Sequence, residues 1–219
     1  MRLINGLSPS RVLHDGSVVT IGNFDGVHVG HQRMIEALAA EGRIRGLPVV
    51  VIVFEPQPLE FFVPDQAPSR LTRLREKAMQ FARLPVDVVQ LLRFDRALAG
   101  LSPEVFIRRV LVEHLNVKLL VVGDDFRFGK GRSGDFGTLV AAGAELGFEV
   151  HDTASIRVDG DRVSSTLVRQ LLADGDLDAA AKMLGRPYSI CGRIVHGDQR
   201  GRTIGFPTAN IGMARKNAP

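Results

Sequence analysis

The chain has 219 residues, 45% of them hydrophobic, and its 28 Lys and Arg outnumber 24 Asp and Glu for a formal charge of +4. That suits one α/β domain of ordinary size, or one with a small appendage; the scattered basic excess fits anionic small molecules and argues for no nucleic-acid partner. A lone cysteine, Cys191, no long apolar run, and first residues without an apolar signal core exclude a disulfide scaffold, a membrane span and a secretory signal, so a cytoplasmic location with no membrane partner is expected.

In chain order, a strand at residues 18–21 runs into Gly22-Asn23-Phe24-Asp25-Gly26-Val27-His28-Val29-Gly30-His31. A helix follows over residues 32–41, with Met34, Ile35 and Leu38 on one face. The loop delivers two histidines to a helix N-terminus, where unpaired N–H groups and the helix dipole favour an anion. Gly22, Gly26 and Gly30 permit sharp turning and close approach of backbone to ligand. The pattern reads as a nucleotide-phosphate cradle. Imidazoles donate to phosphate oxygens and stabilise charge on a phosphoryl group under attack. Surface histidines are the plainer alternative, which a pair at a glycine-rich helix start disfavours. Metal binding by Asp25, His28 and His31 is the weakest, since no HExxH spacing or cysteine ligands accompany them.

Residues 49–54 form a continuous β-branched run, as in a strand buried on both faces of a parallel sheet. It leads to Phe54-Glu55-Pro56-Gln57-Pro58-Leu59-Glu60-Phe61-Phe62, where prolines stiffen the chain and Phe61 or Phe62 could wall a flat apolar pocket. A buried loop without a ligand is an equal reading. Thr72 is placed to cap a helix reaching about Leu84. A strand at 86–91 follows, and then Ser102-Pro103-Glu104 opens a helix with a cap, a first-turn proline and an acid.

A further strand at 119–122 feeds Gly123-Asp124-Asp125-Phe126-Arg127-Phe128-Gly129-Lys130-Gly131-Arg132-Ser133-Gly134. This is not a Walker A loop, because Gly131 follows Lys130 where Ser or Thr is required. Asp125 can accept from ribose or adenine, while Phe126 and Phe128 can pack on a planar ligand or in the core. Gly147 ends a helix at 139–146, before a last strand at 148–150. Arg162-Val163-Ser164-Ser165-Thr166 then enters a helix to Ala173. Its hydroxyls and amides, with Arg162 and Arg169 nearby, suit a polyphosphate, an ordinary N-cap being the plainer reading.

This alternation implies an α/β fold with a doubly wound, mostly parallel sheet, whose ligands bind beyond the carboxyl ends of the strands. After a helical pattern at 177–184, a boundary falls near Gly185-Arg186-Pro187, giving domains 1–185 and 186–219. Beyond it lie a strand at 189–195 and a glycine-rich stretch over 197–210. There Arg200 and Arg202 suggest a second phosphate loop, and Thr208 and Asn210 offer oxygens suited to Mg²⁺. A glycine-rich hairpin is the plainer reading.

Together, in this order, these stretches resemble the bifunctional bacterial riboflavin kinase/FMN adenylyltransferase (FAD synthetase) family over essentially the whole chain. The loop at 22–31 is similar to the HxGH element of nucleotidylyltransferases, and 162–166 to their Ser-Ser-Thr element. More specific are Phe54-Glu55-Pro56-Gln57-Pro58, Arg70-Leu71-Thr72 with Glu76-Lys77, the loop at 123–129, and Gly205-Phe206-Pro207-Thr208-Ala209-Asn210. The resemblance implies a Rossmann-like nucleotidylyltransferase domain over 1–185, followed at 186–219 by the start of a riboflavin kinase β-barrel. The first domain would transfer AMP from ATP to FMN with Mg²⁺, giving FAD and pyrophosphate. His28, His31 and Asn23 would act at the α-phosphate. Gly22, Phe24, Asp25, Gly30, Asp125, Arg162, Ser165 and Thr166 would bind ATP, and Phe54, Pro56, Pro58, Phe62, Phe106 and Phe128 would surround the flavin.

In the kinase segment, Thr208 and Asn210 match the Mg²⁺-binding motif, while the family's catalytic glutamate lies beyond Pro219. Riboflavin is therefore expected to be a substrate of a longer protein and not of this chain. Gln57 stands where the family often has His, and Asp125 where it can have Asn; both keep hydrogen-bonding ability. Competing readings are a nucleotidylyltransferase for another acceptor, a non-catalytic flavin carrier and a nucleic-acid-binding module. The flavin-specific stretches, the paired histidines and the lack of an aromatic stacking array argue against them in turn.

Overall fold

The computed structural model describes residues 1–7, 13–123, 125–153, 156–198, 200–206 and 208–212. Its first half comprises β1 (Arg2–Asn5), β2 (Ser17–Ile21), α1 (Val29–Arg45), β3 (Val49–Glu55), α2 (Pro58–Phe62), α3 (Leu74–Phe81), β4 (Val88–Arg93), α4 (Arg96–Ala99) and α5 (Pro103–Phe106). A π-helical stretch, Ile107–His114, continues α5 and precedes β5 (Val117–Gly123), α6 (Phe136–Leu146) and β6 (Glu149–Thr153). A hairpin of β7 (Arg157–Val158) and β8 (Asp161–Arg162) leads to α7 (Ser165–Ala173) and α8 (Leu177–Leu184), and then to β9 (Arg193–Val195), α9 (Arg200–Thr203) and β10 (Asn210–Gly212).

Six strands form one sheet in the order β1-β4-β3-β2-β5-β6, every neighbouring pair parallel. Alternation along each strand divides the aliphatic side chains between two layers. On one face Val19, Ile21, Val50, Ile52, Leu120 and Val122 pack with Ile107, Val110 and Leu111 of the π-helical stretch and Leu139 of α6. On the other, Val18, Val49, Leu119 and Val121 meet Leu38 and Ala39 of α1, while Val51 and Val53 meet Ile35 and Phe81. The doubly wound parallel sheet expected from the apolar runs is the observed fold.

Helix ends explain the tight returns to the sheet. Both α1 and α6 stop at a left-handed glycine, Gly46 (φ 66) and Gly147 (φ 80). In each, the next residue's N–H bonds back to a second glycine: Leu47 to the Gly42 carbonyl at 2.9 Å, Phe148 to that of Gly143 at 3.0 Å. This is the Schellman arrangement. Ser102 caps α5 as expected, its hydroxyl accepting the Val105 N–H.

Two expectations are corrected and one strand is added. Thr72 does not cap α3: the helix starts at Leu74, and the Glu76 carboxylate accepts the Arg73 N–H at 2.7 Å. Thr72 is instead held by a buried carboxylate, described below. The edge strand β1, paired with β4 from Arg2↔Val88 to Asn5↔Leu91, is an addition; four mostly exposed residues carry no readable periodicity. The strand expected over 189–195 is shorter, Arg193–Val195, and pairs antiparallel with β10 in a separate small sheet.

Candidate active site

The chain runs from β2 to β3 and β4 on one side, then returns to β5 on the other, so the sheet's switch point lies between β2 and β5. Ligands bind in that crevice, outside the carboxyl ends of the strands. The loop leaving β2 coils through one turn of 3-10 helix, Asp25–Val27, before α1 begins. Phe24 (φ 48), Gly26 (φ 81) and Val27 (φ 44) all have left-handed backbone. For a non-glycine residue that costs about 1–3 kcal/mol, and β-branched Val27 is the clearest outlier. Burial offsets it: Phe24 and Val27 are 1% and 0% exposed. The Phe24 ring lies between Phe81 and His31, with centroids 5.6 and 5.0 Å away.

His28 and His31 stack at 3.6 Å with their rings 16° apart. The Nδ1 atom of His28 accepts the His31 backbone N–H at 3.4 Å, which caps α1 and leaves the His28 proton on Nε2. Burial pushes the His28 imidazole from 6.5 down to about 4, against a smaller opposing pull from Asp25. His31 lies well below its ordinary value, first through burial and then through the nearby His28 and Lys77. Both rings are therefore neutral at pH 7 and act as N–H donors. The His31 Nδ1 is buried with no partner among the described residues. Gly30 makes room for the stack, since a Cβ there would sit 3.2 Å from the His28 ring.

Around this pair, the loop is anchored from below and behind. Asp25, 2% exposed, accepts the N–H groups of Leu71 (3.0 Å) and Thr72 (2.9 Å). It also accepts the Thr72 hydroxyl (3.2 Å) and the Arg169 guanidinium (2.6 Å). Lys77, 1% exposed, donates to the Asn23 carbonyl at 2.6 Å, and burial lowers its pKa. Ser165 donates to the Asp25 carbonyl at 2.9 Å. Arg186 donates to the carbonyls of Gly26 (2.7 Å) and Leu184 (3.1 Å), and Gln32 to those of Val27 and Leu184 (2.8 Å each).

Two clefts lie in this part of the molecule, the smaller one lined by Gly30 of the loop. One of about 350 Å³ is lined by Gly30, Arg33, Met34, His151, Asp152 and Ile156, between α1 and the carboxyl end of β6. A larger one, about 1260 Å³, lies along Glu55, Glu60, Arg70 and Arg73 and reaches Cys191 and Arg193. Arg70 bridges Glu55 and Glu60; burial pushes the Glu60 carboxyl up, but the Arg70 hydrogen bonds, the Gln57 N–H and the charges of Arg70 and Lys77 together hold it below the usual range. Beside them the rings of Phe54, Phe61 and Phe62 all meet Phe94 at 5.5–5.7 Å. Phe106 and Phe128 contact each other at 5.6 Å, nearly buried in the core against which Phe54 also packs.

The structure thus gathers Gly22, Asn23, Phe24, Gly30, His28, His31 and Ser165 about one loop. Asn23 and Thr166 are exposed there. Arg162 reaches towards the exposed Asp125 at 4.0 Å, joining the loop after β5 to the start of α7. Gln57 is buried, with its amide nitrogen lacking a partner among the described residues. Two residues differ from expectation. The Asp25 carboxylate is engaged by protein donors, and Arg169, expected beside a phosphate, instead binds Asp25 and the Ser69 carbonyl. The three-ligand metal reading fails for the same reason, and among the described residues no cluster of three metal-ligating side chains occurs. Asp124 and Pro207 lie outside the described residues, and Thr208 and Asn210 sit by the separate β9–β10 sheet.

Lys77, Gln32 and Arg186 are site residues that sequence reasoning gave no role. For Lys77 a signal existed: Leu74, Lys77, Ala78 and Phe81 share one helical stripe, so the lysine stood on an inward face.

The FAD synthetase family profile matches residues 10–167, and the riboflavin kinase profile residues 184–219. The bifunctional riboflavin kinase/FMN adenylyltransferase of Escherichia coli K12 is 54% identical over 220 residues, covering 100% of this chain and 70% of that protein. The Haemophilus influenzae protein of the same name is 48% identical, covering 100% and 71%. Among solved structures, a chain described as a macrolide-efflux protein from Streptococcus pneumoniae superposes with a TM-score of 0.79 at 29% identity, covering 97% of this chain and 69% of that one. No described helix is long and apolar enough to cross a membrane.

Proposed function

The chain belongs to the bifunctional riboflavin kinase/FMN adenylyltransferase family, and on that premise we propose how its residues make FAD. The reaction joins an FMN phosphate oxygen to the α-phosphorus of ATP and breaks the bond from that phosphorus to the pyrophosphate oxygen. A phosphate is already a nucleophile at neutral pH, so no strong general base is needed. Catalysis is then positioning and charge stabilisation.

The observation that carries this reading is the stacked, neutral histidine pair at the α1 N-terminus, with Gly30 between the two in sequence lining a cleft of about 350 Å³. Adenosine would occupy that cleft beside Gly30, which lets the ligand approach the backbone. The Nε2–H of His28 and the His31 ring would donate to the phosphoryl oxygens, aided by free N–H groups of α1 and by Asn23. An arriving triphosphate would draw both imidazoles back towards the charged form, matching donor strength to developing charge. Arg162, Ser165 and Thr166 would hold the phosphates from the start of α7. FMN would lie on the other side, its ring against Phe54, Pro56, Pro58 and Phe62, with Phe106 and Phe128 as the floor beneath.

Magnesium binds through one or two protein oxygens plus phosphates and water. The exposed Asp125 carboxylate beside Arg162, and Thr208 with Asn210, fit that donor chemistry. Bound with ATP, the ion neutralises triphosphate charge. Residues 186–219 would form the first part of a riboflavin kinase barrel, and the working location would be the cytoplasm, where both nucleotides are found.

The test is incubation of the purified chain with Mg²⁺-ATP and FMN, with separation of the flavins. FAD and pyrophosphate in equal amounts are expected. Nucleotide consumed without FAD, or bound FMN left unchanged, would sink the reading.

A further inference from the structure

We propose that Asp25 is a positioning residue: together with Arg169 it locks the histidine loop onto helix α7 and so sets the spacing between the two phosphate grips. The inference rests on the adenylyl-transfer reading above.

The carboxylate is 2% exposed, and both oxygens are used twice. One accepts the Leu71 N–H and the Arg169 guanidinium, the other the N–H and hydroxyl of Thr72. That pattern fills the lone pairs a carboxylate has, leaving none for a nucleotide or an ion. Three separate segments meet here. The loop at 22–31 supplies the carboxylate, residues 69–72 supply donors and a carbonyl, and α7 supplies Arg169 and Ser165.

Two further contacts close the node. Gly26 donates its N–H to the Thr72 hydroxyl at 2.8 Å, and Arg169 Nε donates to the Ser69 carbonyl at 2.6 Å. Arg169 lies one helical turn beyond Ser165, so a shift of the guanidinium carries the phosphate-gripping end of α7 with it. The backbone gives an independent reason for a tether. Phe24 and Val27 flank Asp25 with φ of 48 and 44, conformations that neither side chain favours alone. The loop keeps that shape because its central carboxylate is held from outside.

Asp25→Asn and Arg169→Gln, separately and combined, test this in the whole chain. The readouts are kcat, KM for ATP, the Mg²⁺ dependence and the melting temperature, with kcat referred to the fraction of chains that bind FMN. Each single change is expected to lower kcat by about 10²-fold, with a much smaller change in KM for ATP. The Mg²⁺ dependence stays as it was. The double variant is expected to be no worse than the weaker single one, because both remove one shared contact.

A loss explained wholly by fewer FMN-binding chains would make the pair merely structural and overturn the proposal. So would a shifted Mg²⁺ dependence or raised KM for ATP in Asp25→Asn alone, since that marks a ligand. Should Asp25→Asn not fold, Arg169→Gln and Arg169→Lys decide, with the lysine variant expected between the glutamine variant and the unsubstituted chain. Unchanged kcat in Arg169→Gln overturns the proposal. If the unsubstituted chain makes no FAD, the adenylyl-transfer reading falls and takes this inference with it.

Discussion

His28 is buried and neutral at pH 7, and on the proposed reading it donates to the α-phosphate; two consequences can be measured. On that reading His28→Ala removes a donor to the α-phosphate, so kcat should fall by about 10²–10³-fold. FMN binding, followed by quenching of flavin fluorescence, should stay near normal; unchanged turnover would discard the assigned role. The second consequence is a pH dependence of stability. The folded-state value of about 4 lies below 6.5, so the unfolded chain binds the extra proton between them. Stability therefore falls as pH drops from about 6.5 towards 4, by about 3 kcal/mol for this group, and is unaffected above that window. His31 acts in the same direction. Urea midpoints at pH 7.5 and pH 5 should show the loss, and His28→Ala should reduce it, leaving the His31 part. At this scale the histidines were legible from their spacing and flanking glycines alone. The partners of Asp25 were not: Thr72 and Arg169 are remote in sequence, and a carboxylate in a glycine-rich loop reads equally as ligand or as anchor.

Helices α1 and α6 end in the same way, and the second glycine of each ending is set by sterics. A Cβ on Gly143 would lie 2.5 Å from the Phe148 carbonyl oxygen, and one on Gly42 2.9 Å from that of Leu47. Gly143→Ala should destabilise the chain by about 1–3 kcal/mol, because the obstacle is backbone and the turn into β6 must open. Urea unfolding with an unchanged m-value would show it, and a neutral effect would mean the return is looser than its geometry implies. The glycine closing α6 was readable in the sequence through its C-cap rule. The role of Gly143 was not, because nothing local says that a carbonyl will pass over that turn. Thr72 teaches the converse: it had the chemistry of a cap, but a buried carboxylate offered its hydroxyl and N–H a better partner.

Across the whole molecule, the last helices close the site from outside the sheet. Leu71 is packed against Val163, Val168, Met183 and Leu184, and Arg186 and Gln32 tie the end of α8 to the loop carbonyls. Arg186→Ala should lower stability by about 1–3 kcal/mol through lost charge-assisted hydrogen bonds, and should lower kcat as the loop relaxes. A melting curve and the FAD assay on one sample would check both; a kcat drop without a stability change would assign Arg186 to substrate instead. A further tie joins the segment before β9 to α3, where Glu76 accepts the Cys191 N–H at 2.9 Å. The sequence by itself determined the parallel sheet, the Ser102 and Gly147 helix ends and the placing of two histidines at a helix start, because these follow from periodicity, capping and short-range chemistry. Only the tertiary structure decided which charged groups would meet a ligand and which would be sealed inside. That choice depends on which distant segments arrive at the same buried carboxylate or lysine, and on the desolvation that makes such a group seek protein partners.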